Sequence, residues 1–278
     1  MTGILLPEYQ PRWIDILGVR VDDVTMSEAL DFCQHALASG GRHQIVTPNA
    51  EFVMLARRDD AFRQIINYAA LSIPDGHSLL WASRVFGCPL REQVTGTDLA
   101  YGLAELAARR AYRLYLLGAA EGVAALAARK LQELLPDLRI AGTHSGSPHP
   151  SQDQQLREMI AAAAPVDILL VAYGAPAQDK WIARNLPLMD VRVAMGVGGV
   201  FDFLSGRVPR APRWLRDAGF DWLYRLVHQP WRLRRQLTIP QFLALVLARR
   251  VAGYRGNYQR RRPTSAQRIQ EQSDADTC

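Results

Sequence analysis

Short apolar runs alternate with longer stretches of helical periodicity along most of the chain. Residues 13–24 (Trp13-Ile14-Asp15-Ile16-Leu17-Gly18-Val19 at their start) read as a short strand and a turn. Thr25-Met26-Ser27-Glu28 then opens a helix to about Ala38. Thr25 is its N-cap, Glu28 completes a capping box, and Gly40-Gly41 ends it. Residues 44–47 form an apolar strand stopped by Pro48, and helical spacing resumes from Asn49 through Phe52, Leu55, Phe62, Ile65 and Ile66. Leu71-Ser72-Ile73-Pro74 is a further strand with Asp75-Gly76 at its exit. The rhythm repeats: strand 113–117, turn 118–122, helix 123–135, strand 139–143, a Ser/Gly/Pro/His loop at 144–150, helix 151–164, strand 167–172, a helix from Gln178, and strand 191–197. Strands of this length alternating with helices predict an α/β fold. Its Rossmann-like sheet is largely parallel, with helices on both faces. No repeat of solenoid spacing is present.

After Gly206 the texture changes to Pro, Trp and Arg, followed by helical stretches near 217–228 and 240–254. The expected organisation is an α/β body over 1–205, an Arg-rich helical appendage over 206–255, and a disordered polar tail over 256–278. The 278 residues, 49% hydrophobic and 22% charged, suffice for this and argue against general disorder. Charge adds one distinction. The net charge is only +6, but Lys occurs only at Lys130 and Lys180, and between Arg207 and Arg262 the sole acids are Asp217 and Asp221. Guanidinium groups fork onto phosphate oxygens, so this segment reads as anion-facing. Nucleotide diphosphates, lipid diphosphates, anionic headgroups and nucleic acid all satisfy that charge.

Cys33, Cys88 and Cys278 have neither disulfide nor zinc spacing, which fits a reducing cytoplasm. The N-terminus lacks a signal-peptide pattern, and the apolar run 242–248 is far below the roughly 20 residues of a spanning helix. Residues 240–250 nevertheless suit a helix lying on a bilayer, apolar side down; a packing helix or an oligomer contact is the competing reading.

In open parallel sheets, ligands sit beyond the carboxyl ends of the strands. Three such exits carry polar groups: Thr47-Pro48-Asn49, Pro74-Asp75-Gly76 and Gly174-Ala175-Pro176-Ala177-Gln178. Asp75 is either a general base for a sugar hydroxyl or a turn-forming cap. Thr47 and Asn49 either bind a sugar or cap the next helix. Gly118 and Gly122, in a strand–turn–helix, offer a diphosphate site or simply tight packing. Gly118, Gly174 and Gly198 are the candidate nucleotide-contacting glycines. Gly196-Val197-Gly198-Gly199 is not a dinucleotide fingerprint, because Phe201 stands where its last glycine belongs and no acid follows at the required distance. The only Asp-x-Asp pair, Asp274 and Asp276, lies in the tail, and no metal or cofactor is expected. Stabilisation of diphosphate charge then falls to backbone N–H groups and to Arg225, Arg232, Arg234 and Arg235, whose bland role is a solvated basic face.

Several of these segments are motifs in a fixed order. They are Thr47-Pro48-Asn49-Ala50-Glu51-Phe52, Pro74-Asp75-Gly76, Val94-Thr95-Gly96-Thr97-Asp98-Leu99, Gly174-Ala175-Pro176-Ala177-Gln178-Asp179-Lys180-Trp181-Ile182, Gly196-Val197-Gly198-Gly199-Val200-Phe201-Asp202, Arg210-Ala211-Pro212 and Trp222-Leu223-Tyr224-Arg225-Leu226. The ordered set, over roughly residues 14–240, resembles the WecG/TagA/CpsF glycosyltransferases. The resemblance implies an inverting, metal-independent transferase of cell-surface polysaccharide synthesis. Its donor would be UDP-N-acetylmannosamine, the corresponding uronic acid or another UDP-hexose. Its acceptor would be a polyprenyl-diphosphate-linked sugar at the cytoplasmic membrane face. By the same resemblance Asp75 is the base, Thr47, Asn49 and Gln178 contact substrate, and Arg225, Arg232 and Arg235 belong to the substrate-binding appendage. The chain departs from many relatives in having Gln93 where Arg is common and Asp179 where Glu is usual; Arg91 or Arg84 is the expected replacement for the lost arginine. The competing classes are a non-catalytic UDP-sugar-binding subunit and a nucleic-acid binder, the latter disfavoured by Leu and Trp interleaved with the arginines.

Overall fold

The computed structural model describes residues 11–209 and 237–259, together with 212, 215 and 224. Its centre is a six-stranded sheet of β3 (His43–Val46), β4 (Leu71–Ser72), β5 (Arg113–Gly118), β6 (Arg139–His144), β7 (Ile168–Ala172) and β8 (Val193–Gly196). The order is β4-β3-β8-β7-β5-β6, and every pair is parallel. A separate antiparallel hairpin joins β1 (Trp13–Ile16) to β2 (Val19–Asp22) through Leu17 and Gly18, both at positive φ. The α/β fold with a parallel sheet is as the alternating pattern predicts.

Alternation along the strands assigns the two faces. Leu114, Leu116, Ile168, Leu170, Val193 and Met195 pack under α1 (Met26–Ser39), α5 (Gly96–Arg110), α6 (Val123–Leu134) and α9 (Val200–Leu204). Tyr115, Leu117, Leu169, Val171 and Ala194 face α7 (Asp153–Ala162) and α8 (Ala177–Asn185). A third cluster joins the hairpin to α2 (Ala50–Ala56), α3 (Asp60–Tyr68), α4 (His77–Val85) and α10 (Thr238–Val251). The capping box at α1 is formed in both directions, and Gly40 ends that helix in the left-handed region. The single helical stretch read from Asn49 to Ile66 is two helices, because Asp59 caps the N–H of Phe62 and starts α3 afresh.

α10 packs on α2 and α4 through the fully buried Phe242 and Val246. Beyond it, Gly256 N–H donates to the Phe86 carbonyl, and Gln259 exchanges backbone hydrogen bonds with Trp13. Among the described residues no helix is long and apolar enough to cross a membrane.

The hairpin is fixed to the sheet edge by buried charge. Arg20 forks onto Asp22 at 2.8 and 2.6 Å, and donates to the Ala69 carbonyl at 2.9 Å. Asp22, with no exposed surface, also accepts the N–H of Ser72 at 2.8 Å, while the Ser72 hydroxyl donates to the Arg20 carbonyl at 2.7 Å. Asp22→Ala strands a buried guanidinium and should cost about 3–5 kcal/mol of unfolding free energy. Urea unfolding measures this; a loss under about 1 kcal/mol would mean that the network does not anchor the hairpin.

Candidate functional site

The carboxyl ends of β4, β3, β8, β7 and β5 open at one edge of the sheet, and the polar motifs lie there. β4 has only two residues, but its pairing with β3 continues past the strand: Ile73 N–H donates to the Val46 carbonyl at 3.0 Å and Asp75 N–H to the Pro48 carbonyl at 2.9 Å. On the other side Val94 N–H donates to the Pro74 carbonyl at 3.0 Å. Pro74-Asp75 is therefore held on both edges by main chain.

The Asp75 carboxylate reaches across to the start of α5. Its Oδ2 accepts the N–H of Gly96 at 3.2 Å, the first residue of that helix. Unpaired N–H groups and the helix dipole favour negative charge at such a position. α4, which follows Asp75, starts from Gly76 without a side-chain cap. Thr95 caps α5 by accepting the Asp98 N–H at 3.0 Å. A Cβ on Gly96 would stand 3.1 Å from Thr47 Cγ2 and 3.4 Å from Asp75 Oδ2, so Thr47, Asp75 and Gly96 converge at van der Waals distance. Thr47 is nearly buried, and Asp75 is half-buried. Asn49 takes its capping role, Oδ1 accepting the Phe52 N–H at 3.1 Å, and its Cβ also lies against Gly76. Thr47, Asn49 and Asp75 are thus brought together.

Gln178 organises the neighbouring exits. It is 2% exposed, and its Oε1 accepts from Gly174 N at 3.0 Å and from Gly198 N at 2.9 Å. One carboxamide therefore ties the loop after β7 to the loop after β8, and the N–H groups of both candidate glycines are spent on it. Gly174 and Gly198 have φ of +77° and +53°, which other residues adopt at a cost. Gly118 is demanded by packing, since a Cβ there would lie 2.8 Å from the Ala172 carbonyl carbon. Arg225, Arg232, Arg234 and Arg235 lie outside the described residues, as do Asp274 and Asp276. Neither expected replacement for an arginine at Gln93 reaches the exits. Arg91 is engaged with Asp23 and Glu28, and Arg84 is in the last turn of α4, about 12 Å along the helix from Gly76.

Gly96 has its part in the site without having been assigned one; the signal available was the Thr95-x-x-Asp98 cap, which marks a helix start. Asp179 is a second such residue. Fully buried in the first turn of α8, it has no well-formed hydrogen bond to either carboxylate oxygen among the described residues. Burial pushes its carboxyl up to about 7, opposed weakly by its own backbone N–H and the Gln178 carboxamide. Among the described residues there is no cluster of three His, Cys, Asp or Glu side chains that could hold a metal ion.

A six-stranded all-parallel sheet with helices on both faces defines an α/β protein of the open-sheet class, whose members bind ligands at the strand exits. The sequence pattern of the Glycosyl transferase WecG/TagA/CpsF family matches residues 14–256, and the chain belongs to this family of glycosyltransferases. It is similar to the N-acetylglucosaminyldiphosphoundecaprenol N-acetyl-beta-D-mannosaminyltransferase of Bacillus spizizenii strain W23, 33% identical over 77% of this chain and 82% of the relative. The enzyme of the same name from Bacillus subtilis strain 168 is 33% identical over 73% and 78% of the two chains. That of Staphylococcus aureus strain MRSA252 is 30% identical over 83% and 90%.

Asp179 gives the site a measurable pH signature. The unfolded carboxyl titrates near 3.9 and the folded one near 7, so the native state holds the extra proton between them. Its contribution is therefore greatest at low pH and is lost as pH rises toward 7 and beyond. Relative to wild type, Asp179→Asn should gain on the order of 2 kcal/mol in stability between pH 5 and pH 8, followed by urea unfolding. An advantage that is flat with pH would show that this carboxyl does not titrate there.

Proposed function

We propose that this enzyme is an inverting, metal-independent transferase that moves an N-acetylmannosamine-type hexose from a UDP-sugar onto a polyprenyl-diphosphate-linked sugar. The reaction belongs to cell-surface polymer synthesis at the inner face of the membrane. The relatives are named for an N-acetyl-beta-D-mannosaminyl group and an N-acetylglucosaminyldiphosphoundecaprenol acceptor, and a β-linked product is what inversion of an α-linked UDP donor delivers. The observation that carries the reading is the placement of Asp75 at the exit of β4, beside Thr47 and at the N-terminus of α5.

In this mechanism the donor lies across the exits of β3, β8 and β7. Asp75 removes the proton from the acceptor hydroxyl, whose oxygen attacks the anomeric carbon from the side opposite UDP. The bond to the diphosphate oxygen breaks and UDP leaves with both electrons. The Gly96 N–H at the start of α5 holds the carboxylate in position for that proton. Arg225, Arg232 and Arg235 of the helical appendage stabilise the departing diphosphate.

The test is UDP release with a panel of UDP-hexoses and a short-chain polyprenyl-diphosphate sugar. UDP-N-acetylmannosamine should be the preferred donor, and Asp75→Asn should reduce turnover by about 100-fold or more with UDP binding and melting temperature retained. Wild-type turnover in this variant would remove Asp75 from the mechanism.

A further inference from the structure

A concave surface that shares no residue with the strand exits lies where the hairpin turn meets α2, α3 and α10. Its cavity has a volume of about 320 Å³, and its walls include Asp15, Leu17, Arg57, Arg63, Arg249 and Tyr254. Arg57 is the C-cap of α2, Arg63 lies in α3, and Arg249 is in the last turn of α10. Three guanidinium groups from three helices thus share one cavity, where like charges repel. Among the described residues, the guanidinium groups of Arg57 and Arg249 make no hydrogen bond and no direct ion pair. Arg63 pairs with Asp60 at 3.0 Å, a solvent-exposed contact of little worth. Asp15 is the one acid on the wall, and its Oδ1 already accepts the Gly18 N–H at 2.9 Å. Three positive charges against at most one negative leave an excess of at least two.

Complementing the dipole at a helix C-terminus accounts for Arg57 and for Arg249 taken singly. It does not account for Arg63, near the start of α3, where the dipole favours an acid, or for the convergence of all three. The direction of Arg249 fixes where a ligand must come from. At 100° per residue it projects about 20° from Phe242 and about 60° from Val246, both fully buried, and about 160° from the exposed Leu247 and Val251. The cavity therefore opens on the side of α10 that faces the body, and its ligand arrives from solution. Guanidinium groups fork onto phosphate oxygens, and a phosphate monoester carries close to two negative charges at neutral pH, which matches the excess. Leu17 and the ring of Tyr254, edge-on to Phe86 at 4.9 Å, supply apolar wall. The volume is that of a small-molecule site, with room for part of the group that carries the phosphate.

We propose that Arg57, Arg63 and Arg249 form a binding site for the phosphate group of a soluble phosphorylated small molecule, separate from the sugar-transfer site. An occupant bridges α2, α3 and α10, so binding stabilises the folded protein and is read without turnover. The inference stands whether or not the transfer reading does. With ionic strength held constant by sodium chloride, inorganic phosphate and pyrophosphate should each raise the melting temperature of the full chain, and the rise should saturate. In Arg57→Gln the apparent dissociation constant for both probes should increase about tenfold. Arg57 is exposed, so this replacement removes little packing. Arg249→Gln, also at an exposed position, gives the same readout from a different helix if the first variant is unstable.

Saturating UDP separates this cavity from the strand exits. A pyrophosphate effect that persists in UDP and weakens in the Arg variants belongs to the basic cavity. One that UDP abolishes in wild type and variants alike belongs to the transfer site and overturns the proposal. Equal dissociation constants in wild type, Arg57→Gln and Arg249→Gln overturn it as well, because the anion then sits elsewhere. No rise beyond that given by sodium chloride, with either probe, means that the cavity binds no phosphate.

Discussion

The site depends on how a very short edge strand is held. β4 contributes two residues to the sheet, too few to fix the direction of the chain that leaves it, yet Asp75 comes three residues later. The missing restraint is supplied by a buried ion pair on the hairpin. Asp22, paired with Arg20 inside the protein, accepts the Ser72 N–H, and Arg20 is itself bound to the Ala69 carbonyl just before β4. Pulling β4 away would leave these buried groups short of partners, a cost that adds to that of the two ladder bonds. From Ser72 onward the main-chain bonds to Val46, Pro48 and Val94 carry that rigidity to the carboxylate.

A comparable economy holds the other half of the site. Gly174 and Gly198 follow different strands and both need left-handed backbone, so neither loop is self-supporting. A single buried carboxamide accepts from both. The neighbouring Asp179 violates the rule that buried carboxylates are partnered, and the cost of that violation falls on stability at neutral pH. Departures from local rules concentrate where function or positioning demands them, and here the departure sits one residue from the group that joins the loops after β7 and β8.

The sequence spoke clearly where one local interaction decides the outcome. Thr25 and Glu28 announce α1, and the apolar runs of β5 and β7 announce strands buried on both faces. It spoke less clearly where a decision was tertiary. Asp59 divides α2 from α3, yet the apolar spacing on either side of it is continuous, so periodicity alone reads one helix. Residues 77–112 gave no element in advance, although α4 and α5 occupy most of them; the buried face of α5 dilutes Leu99, Leu103 and Leu106 with Gly96, Ala100, Ala104 and Ala107, which weakens the apolar contrast a pattern can detect. The exits of β3 and β4 were legible as polar groups after apolar runs. That Gln178 is buried and bridges two glycine N–H groups was not, because those contacts span turns whose geometry no short motif encodes.

The packing of α2, α4 and α10 reaches the strand exits through the starts of the first two helices. Asn49 caps α2 and Gly76 precedes α4, and both helices pack on α10, where Phe242 and Val246 are fully buried. A substitution that empties that contact acts on both helices at once, and so on the backbone at Asn49 and Gly76 together.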